Sequence, residues 1–460
     1  MPRPTSARSR PTANFRALSQ RITREMRRLR IPGLALGVWH QGRTSVAGFG
    51  ITSVEHPLPV TPDTLFQVGS ISKTFTGTLL MQLVEQGKVE LDAPVLTYVP
   101  ELGLRDESVA RRVTLRHLLT HVGGWVGDYF NDFGNGDDAL ARMVASLDQL
   151  EQVTPLGEMW SYNNAGFNIA ARVIEVVSGA PYEQAAQRML LDPLKLNMTF
   201  FFPSDVLITH RFVVGHHMQG KHPQVARPWA IGRAGAGVGG VVSTVEDLLT
   251  YARFHMSNGK RIIERKTLES MRVPQVDAGG RGQMGLTWFI RKAGGLTLYG
   301  HGGATKGQQA ILQCIPAEDF ALAVLTNSDK GGVLITNALD WALDTYFRAR
   351  FPRHEPIAMA RQTLRAYVGR YELPLSAFDL KLTKGHLVLH EIPRGGFPRP
   401  DSPPGPVAPP GRFVFYAPDS VIGLDEPWKG ALGEFFRDAR GHVAFFRIGG
   451  RIHRKIDRSP

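Results

Sequence analysis

The sequence predicts an α/β fold followed by a separate all-β unit. Three observations carry this. Helix and strand patterns occupy residues 15–49 and again 284–347. The stretch between about 80 and 240 is chiefly helical. Beyond Pro352–Pro356 the apolar period changes to two. One sheet completed by distant chain segments, with a helical part inserted between them, accounts for the first two observations. The change of period marks a further unit.

At 460 residues the chain is long for one domain. The expected organisation is a disordered tail at 1–12, a main domain at 13–350 with its helical lobe at about 80–240, a linker at 351–362 and a β unit at 363–460. A hydrophobic fraction of 43% supplies an ample core, and 21% charged residues do not describe a disordered chain. No apolar run approaches the ~20 residues of a membrane span, so no membrane partner is expected. Cys314 is the sole cysteine, which forbids an intrachain disulfide and permits a reducing compartment.

Met1 to Arg30 holds nine arginines and one acid, Glu25, without an apolar h-region or a small-residue cleavage site. That is not a secretory signal, and the expected location is cytoplasmic. An organelle transit peptide fits this start less well than an amphipathic helix built on Phe15, Leu18, Ile22, Met26 and Leu29. The net charge of +13 is spread along the chain with no RNA- or DNA-binding motif, so no nucleic-acid partner is expected. Attraction of anionic substrates stays open.

In chain order, the first helix stops at Pro32-Gly33. Leu34–His40 and Arg43–Phe49 read as a hairpin around Gln41-Gly42. A helix follows from Ser70 to Gln86, stopped by Gly87, with apolar residues on most sides, as a buried helix requires. Leu91-Asp92-Ala93-Pro94 reads as another helix entry, and Thr114–His121 as a short helix closed by Gly123-Gly124. Helices are expected at 165–177 and 182–191. Ser243-Thr244-Val245-Glu246 is a capping box opening a helix to Met256. Strands return at Met284–Arg291, Leu296–Tyr299, Gln309–Ile315 and Phe320–Thr326. The last helix, Val333–Phe347, carries Leu334, Ala338, Trp341, Ala342 and Thr345 on one side. In the β unit, Phe378, Leu380 and Leu382 alternate with Asp379, Lys381 and Thr383, and later segments continue the pattern as a small barrel or sandwich. Pro398–Gly411 contains seven prolines and reads as a stiff loop.

Three stretches bear chemistry. Ser70 opens a helix and Lys73 follows three residues on, which puts hydroxyl and amine on one face. Free N–H groups at that helix end favour developing negative charge. A serine nucleophile with a lysine base has this layout. Taken alone, the pair reads equally as an N-cap serine beside a surface lysine.

Trp160-Ser161-Tyr162-Asn163-Asn164-Ala165 precedes a helix. The plain reading has Asn164 capping and Tyr162 packing. The functional one has both lining a cleft, where a nearby ammonium lowers the phenol from ~10 and makes it a proton shuttle. In Tyr299-Gly300-His301-Gly302-Gly303-Ala304 the glycines let backbone approach a ligand closely. His301 is then a turn histidine or, in a cleft, a neutral donor to substrate.

Ser70-x-x-Lys73, Tyr162-x-Asn164 and His301-x-Gly303, in this order, resemble the three motifs of the class C β-lactamase family of serine hydrolases. That family includes D-alanyl-D-alanine peptidases, D-aminopeptidases and β-lactamase-like carboxylesterases. The likeness spans about residues 15–350. Ile31-Pro32-Gly33, Leu115–Gly124 and Gly239–Thr244 agree with it. The resemblance implies a β-lactamase/transpeptidase-like antiparallel sheet flanked by helices, with an inserted helical lobe and a cleft between. It implies that Ser70 forms an acyl-enzyme and that Lys73 with Tyr162 moves its proton. Backbone N–H groups of Ser70 and Ala304 would form the oxyanion hole. Asn164, His301, Gly303 and Ala304 would contact substrate.

The cell-wall peptidases and β-lactamases of the family usually carry lysine where this chain has His301. Histidine is a weaker, pH-dependent cation, closer to the D-aminopeptidase and esterase branches. Tyr367-x-Gly369-x-Tyr371 and the alternation after it resemble the lipocalin-like domain appended to peptidase-type members. Packing, homo-oligomerisation and narrowing of the cleft are its candidate roles. The expected activity is cofactor-free hydrolysis of a small ester, amide or short peptide, specifically a D-amino-acid peptide or short-chain acyl ester. A weak β-lactamase is the alternative. A non-catalytic binding or filament-forming protein is the alternative of another class.

Three further patterns carry no function. Gly235–Gly240 fits G-x-G-x-x-G, but no strand leads into it and Lys260 stands near where a ribose-binding acid belongs. It reads as flexible backbone before the next helix. His216, His217 and His222 lack a carboxylate or cysteine at ligand spacing and read as surface histidines, with no metal. Ser70 has no G-x-S-x-G around it, which argues against an α/β-hydrolase.

Overall fold

Strand β1 (Gly33–His40) is buried at seven consecutive positions. The computed structural model, which describes residues 11–229, 231–396, 401–404 and 407–456, shows why. β1 lies inside an antiparallel sheet between β2 (Arg43–Gly50) and β6 (Phe320–Thr326), in the order β2-β1-β6-β5-β4-β3. The others are β3 (Phe289–Ala293), β4 (Leu296–Thr305) and β5 (Gln308–Ile315). A strand covered on both faces needs a continuous apolar run, not an alternating one. Leu34, Leu36 and Val38 share a core with Phe15, Leu18, Ile22 and Met26 of α1 (Ala13–Leu29) and with the last helix, Gly331–Phe347. On the other face, a Cβ at Gly37 would stand 2.9 Å from Leu249 in the helix Val245–Met256.

The described chain packs as two compact units. The first comprises residues to Val89, Ile174–Val273 and Thr287–Phe351; the second comprises Glu90–Val173, Pro274–Leu286 and the chain from Pro352. The first holds the sheet just described and α2 (Ser72–Glu85), which is buried from Ser72 through Leu83. An apolar distribution without a clean stripe thus gave a helix enclosed on all sides.

The second unit contains a closed barrel of eight strands in simple chain order. They are β7 (Gly369–Leu373), β8 (Ser376–Thr383), β9 (His386–Pro393), β10 (Gly411–Ala417), β11 (Ser420–Gly423), β12 (Leu432–Arg437), β13 (Val443–Ile448) and β14 (Arg451–Ile456). β7 pairs with β14 to close it, which removes both sheet edges. Its interior is filled: Tyr371, Phe378, Phe413, Phe415, Phe435 and Phe446 are buried in one cluster. Parts of the tail and of the proline-rich loop fall outside the described residues.

Several local expectations are corrected. The strand ending at Tyr299 runs on to Thr305, because Gly300–Thr305 continue to pair with Gln308–Gln313. The segment 284–291 is two strands, Gln283–Met284 and Phe289–Ala293, rather than one. The helix entry at Leu91 yields only a 3-10 turn at Val95–Thr97. Residues 182–191 are an α-turn continued by a π-turn. The last helix buries Ile335, Leu339 and Leu343 alongside Leu334, Ala338 and Ala342, with Trp341 and Thr345 only partly covered.

Candidate active site

In the first unit, a 3-10 turn at Gly69–Ile71 runs directly into α2. Ser72 Oγ fixes the turn by donating to the Gly69 carbonyl at 2.7 Å and accepting from Val241 N at 3.0 Å. Ser70 is left half-buried. One turn on, Lys73 is fully buried, with 0% exposure. Its Nζ donates to Ser70 Oγ at 3.1 Å and to the Val238 carbonyl at 2.9 Å. An ammonium in a core is costly unless such partners meet it. The reading of Lys73 as a surface lysine is therefore wrong.

Val238 belongs to a short helix, Ala236–Gly239, in the segment read as flexible backbone. Its carbonyls are ordered acceptors, since Thr76 Oγ1 donates to Gly237 O at 2.6 Å. The glycine pattern indicated close backbone packing here, without indicating its partner.

β4 brings the third motif to the same turn. Pairing of β4 with β3 ends at Gly300 opposite Phe289, so His301–Thr305 continue beyond that neighbour. A Cβ on Gly303 would stand 1.8 Å from Val68 O and 3.0 Å from Ser70 N; one on Gly69 would stand 2.6 Å from Ala304 N. Only hydrogen fits at Gly303. The backbone at Ala304 is thereby held against that of Gly69–Ser70. Gln308 cross-links the two elements: its Oε1 accepts from Gln67 N at 3.0 Å, and Thr305 Oγ1 donates to Gln67 Oε1 at 2.8 Å. His301 is a buried strand residue, not a turn histidine. Its ring lies 5.2 Å from that of Phe289, and Nδ1 is 2.5 Å from Gly302 O.

In the second unit, Tyr162 and Asn164 stand before and at the start of α3 (Asn164–Ser178). The helix cap is Asn163, not Asn164: Asn163 Oδ1 accepts from Gly166 N at 2.8 Å. Asn164 is thus released to donate through Nδ2 to Asp128 at 2.6 Å. The Tyr162 ring stacks on His121 at 4.4 Å, and His121 Nδ1 accepts from Asn163 N at 2.9 Å. The guanidinium of Arg451, on β14, sits 4.8 Å from the Tyr162 ring centroid. The sequence reading missed Asp128, His121 and Arg451. His121 lies within the Leu115–Gly124 stretch already noted, whereas nothing near Arg451 marks it in the sequence.

His216 is another correction. It is buried, with Nδ1 2.8 Å from Asn327 O and Nε2 accepting from Val54 N at 3.2 Å. Both ring nitrogens pin loops together. His217 and His222 are exposed. Among the described residues no group of acids, histidines and cysteine is arranged to hold a metal, and no helix is long and apolar enough to cross a membrane.

A serine–lysine pair at the head of a buried helix, held against strand β4 of an antiparallel sheet, defines the class. The Beta-lactamase family model matches residues 18–345, and the chain belongs to that family of serine hydrolases. Penicillin-binding protein 4 of Amycolatopsis lactamdurans is 33% identical over 317 residues, 66% of this chain and 82% of that protein. Among solved structures, SurE with D-Leu shares the fold with a TM-score of 0.73 and 24% identity, over 96% of this chain and 100% of that one. A class C β-lactamase from Rhodobacter sphaeroides matches with a TM-score of 0.57 and 26% identity, over 70% and 98%.

Proposed function

We propose that the protein hydrolyses esters or amides through an acyl-enzyme on Ser70. The observation that carries this is the buried Lys73 amine, 3.1 Å from the Ser70 hydroxyl. Ser70 Oγ attacks the carbonyl carbon while Lys73, acting with Tyr162, takes its proton. The carbonyl oxygen becomes an oxyanion, received by the N–H groups of Ser70 and Ala304. Each such donor is worth ~3 kcal/mol in the transition state. The carbon–leaving-group bond then breaks, and the same proton goes to the departing alcohol or amine. Water attacks the acyl-enzyme and releases the acid.

The proposed substrates are small D-amino-acid peptides or short-chain acyl esters. His301 in place of the usual lysine supports this, since imidazole is a weaker, pH-dependent partner for the carboxylate of a β-lactam than an ammonium. Asn164 and His301 would orient the substrate. The experiment is a panel of p-nitrophenyl esters, D-alanyl anilides and a chromogenic cephalosporin, assayed with wild type and Ser70→Ala. Turnover of esters or anilides, abolished by the substitution, supports the reading. Turnover of the cephalosporin alone would replace it with a β-lactamase, and no turnover at all would favour a binding protein.

A further inference from the structure

Beyond filling its own core, the barrel reaches the Tyr162 segment through the β13–β14 hairpin. That turn is Gly449-Gly450, with φ of 60° and 81°. Two consecutive residues at positive φ make the tight hairpin turn that glycine accommodates. Its Gly450 carbonyl accepts from Tyr162 N at 2.8 Å. On either side, Arg447 donates to the Trp160 carbonyl at 3.1 Å and Ile452 N donates to Ser161 Oγ at 3.2 Å. Three successive residues, Trp160 to Tyr162, are thus each bonded to the hairpin.

Arg451 adds side-chain contacts to this seam. Its Nε and Nη2 donate to the two carboxylate oxygens of Asp128 at 3.0 and 3.1 Å, and Asp128 also accepts from Asn164 Nδ2. A forked guanidinium–carboxylate pair fixes orientation as well as distance. The same guanidinium lies over the Tyr162 ring, where a cation is attracted to the π face. Burial disfavours the Arg451 charge, but Asp128 outweighs it and raises the pKa further, so the group stays cationic.

We propose that Arg451 is a positioning residue contributed by the barrel, one that holds the Tyr162 phenol and, through Asp128, the Asn164 amide in their working orientations. This rests on the hydrolase reading above. The physical basis is that one cation contacts the ring of one candidate group and the hydrogen-bond partner of the other. Small misplacements of such groups are expensive, with ~1 Å costing as much as ~10²-fold in rate.

The test uses the full-length chain and the best ester or anilide substrate of the panel. Arg451→Met is expected to lower kcat by ~10²-fold while KM stays within about twofold. Arg451→Lys, which keeps the charge but not the fork, is expected to recover part of that loss. In a Tyr162→Phe background, Arg451→Met is expected to cost markedly less than in wild type, because the two groups act as a unit. If Arg451→Met does not fold, Arg451→Lys and Asp128→Asn are compared in both backgrounds with the same expectation. Unchanged kcat, or an equal fold-loss with and without Tyr162, would overturn the proposal. Turnover undiminished in Ser70→Ala would instead sink the hydrolase reading, and the two failures are distinguishable.

Discussion

Lys73 Nζ lies 3.1 Å from Ser70 Oγ, one helical turn away, with no exposed surface of its own. A charge placed there serves stability poorly, since water is excluded and a neutral side chain of similar length would pack as well. Lys73→Met is therefore expected to leave the melting temperature unchanged or higher while lowering kcat/KM by ~10²–10⁴-fold. Thermal unfolding and steady-state kinetics on the same preparations check both halves. A large loss of stability would mean that the amine is structural.

Gly303→Ala probes the approach of β4 to the Ser70 turn. The new methyl would meet the Val68 carbonyl at 1.8 Å, so strand and turn must separate. Overpacking of this kind costs ~1–3 kcal/mol. The displaced Ala304 amide should also lower kcat by ~10²-fold. Gly302→Ala is the control, because its Cβ would find nothing nearer than 3.7 Å. Similar activity losses in the two variants would remove Gly303 from the account.

Burial, with a smaller contribution from the nearby Arg272 charge, pushes His255 down to about 3 from its ordinary value of 6.5. The unfolded chain binds this proton below pH 6.5, whereas the native state does so only near pH 3. Stability is therefore lost as pH falls from 6.5 towards 3, at about 1.4 kcal/mol per pH unit for one proton. His255→Gln should flatten the dependence by that slope within this window, whatever its effect at pH 8. Urea midpoints measured from pH 4 to 8 give the answer; parallel curves for the two proteins would contradict it.

What the sequence disclosed follows the range of the interactions involved. Ser70 and Lys73 were legible because residues three apart share a helix face whatever surrounds them. Phe378, Leu380 and Leu382 disclosed a sheet buried on one face, but the β7–β14 pairing that closes the barrel joins Arg370 to Ile456 and Glu372 to Arg454, far apart in the chain. In Asn163-Asn164 either residue suits a cap, and only the contact of Asn164 with Asp128 separates them. Val238 contributes a carbonyl, which no residue type encodes. Arg451 is one arginine in a chain rich in them, and its meaning lies wholly in what folding sets beside it.

The central claim is that Ser70 is acylated. Mass spectrometry of the intact protein and its peptides after a fluorophosphonate probe measures this directly. A single adduct on the peptide containing Ser70, absent from Ser70→Ala, is the result predicted. Labelling at another residue, or undiminished ester and anilide turnover by Ser70→Ala, would contradict it.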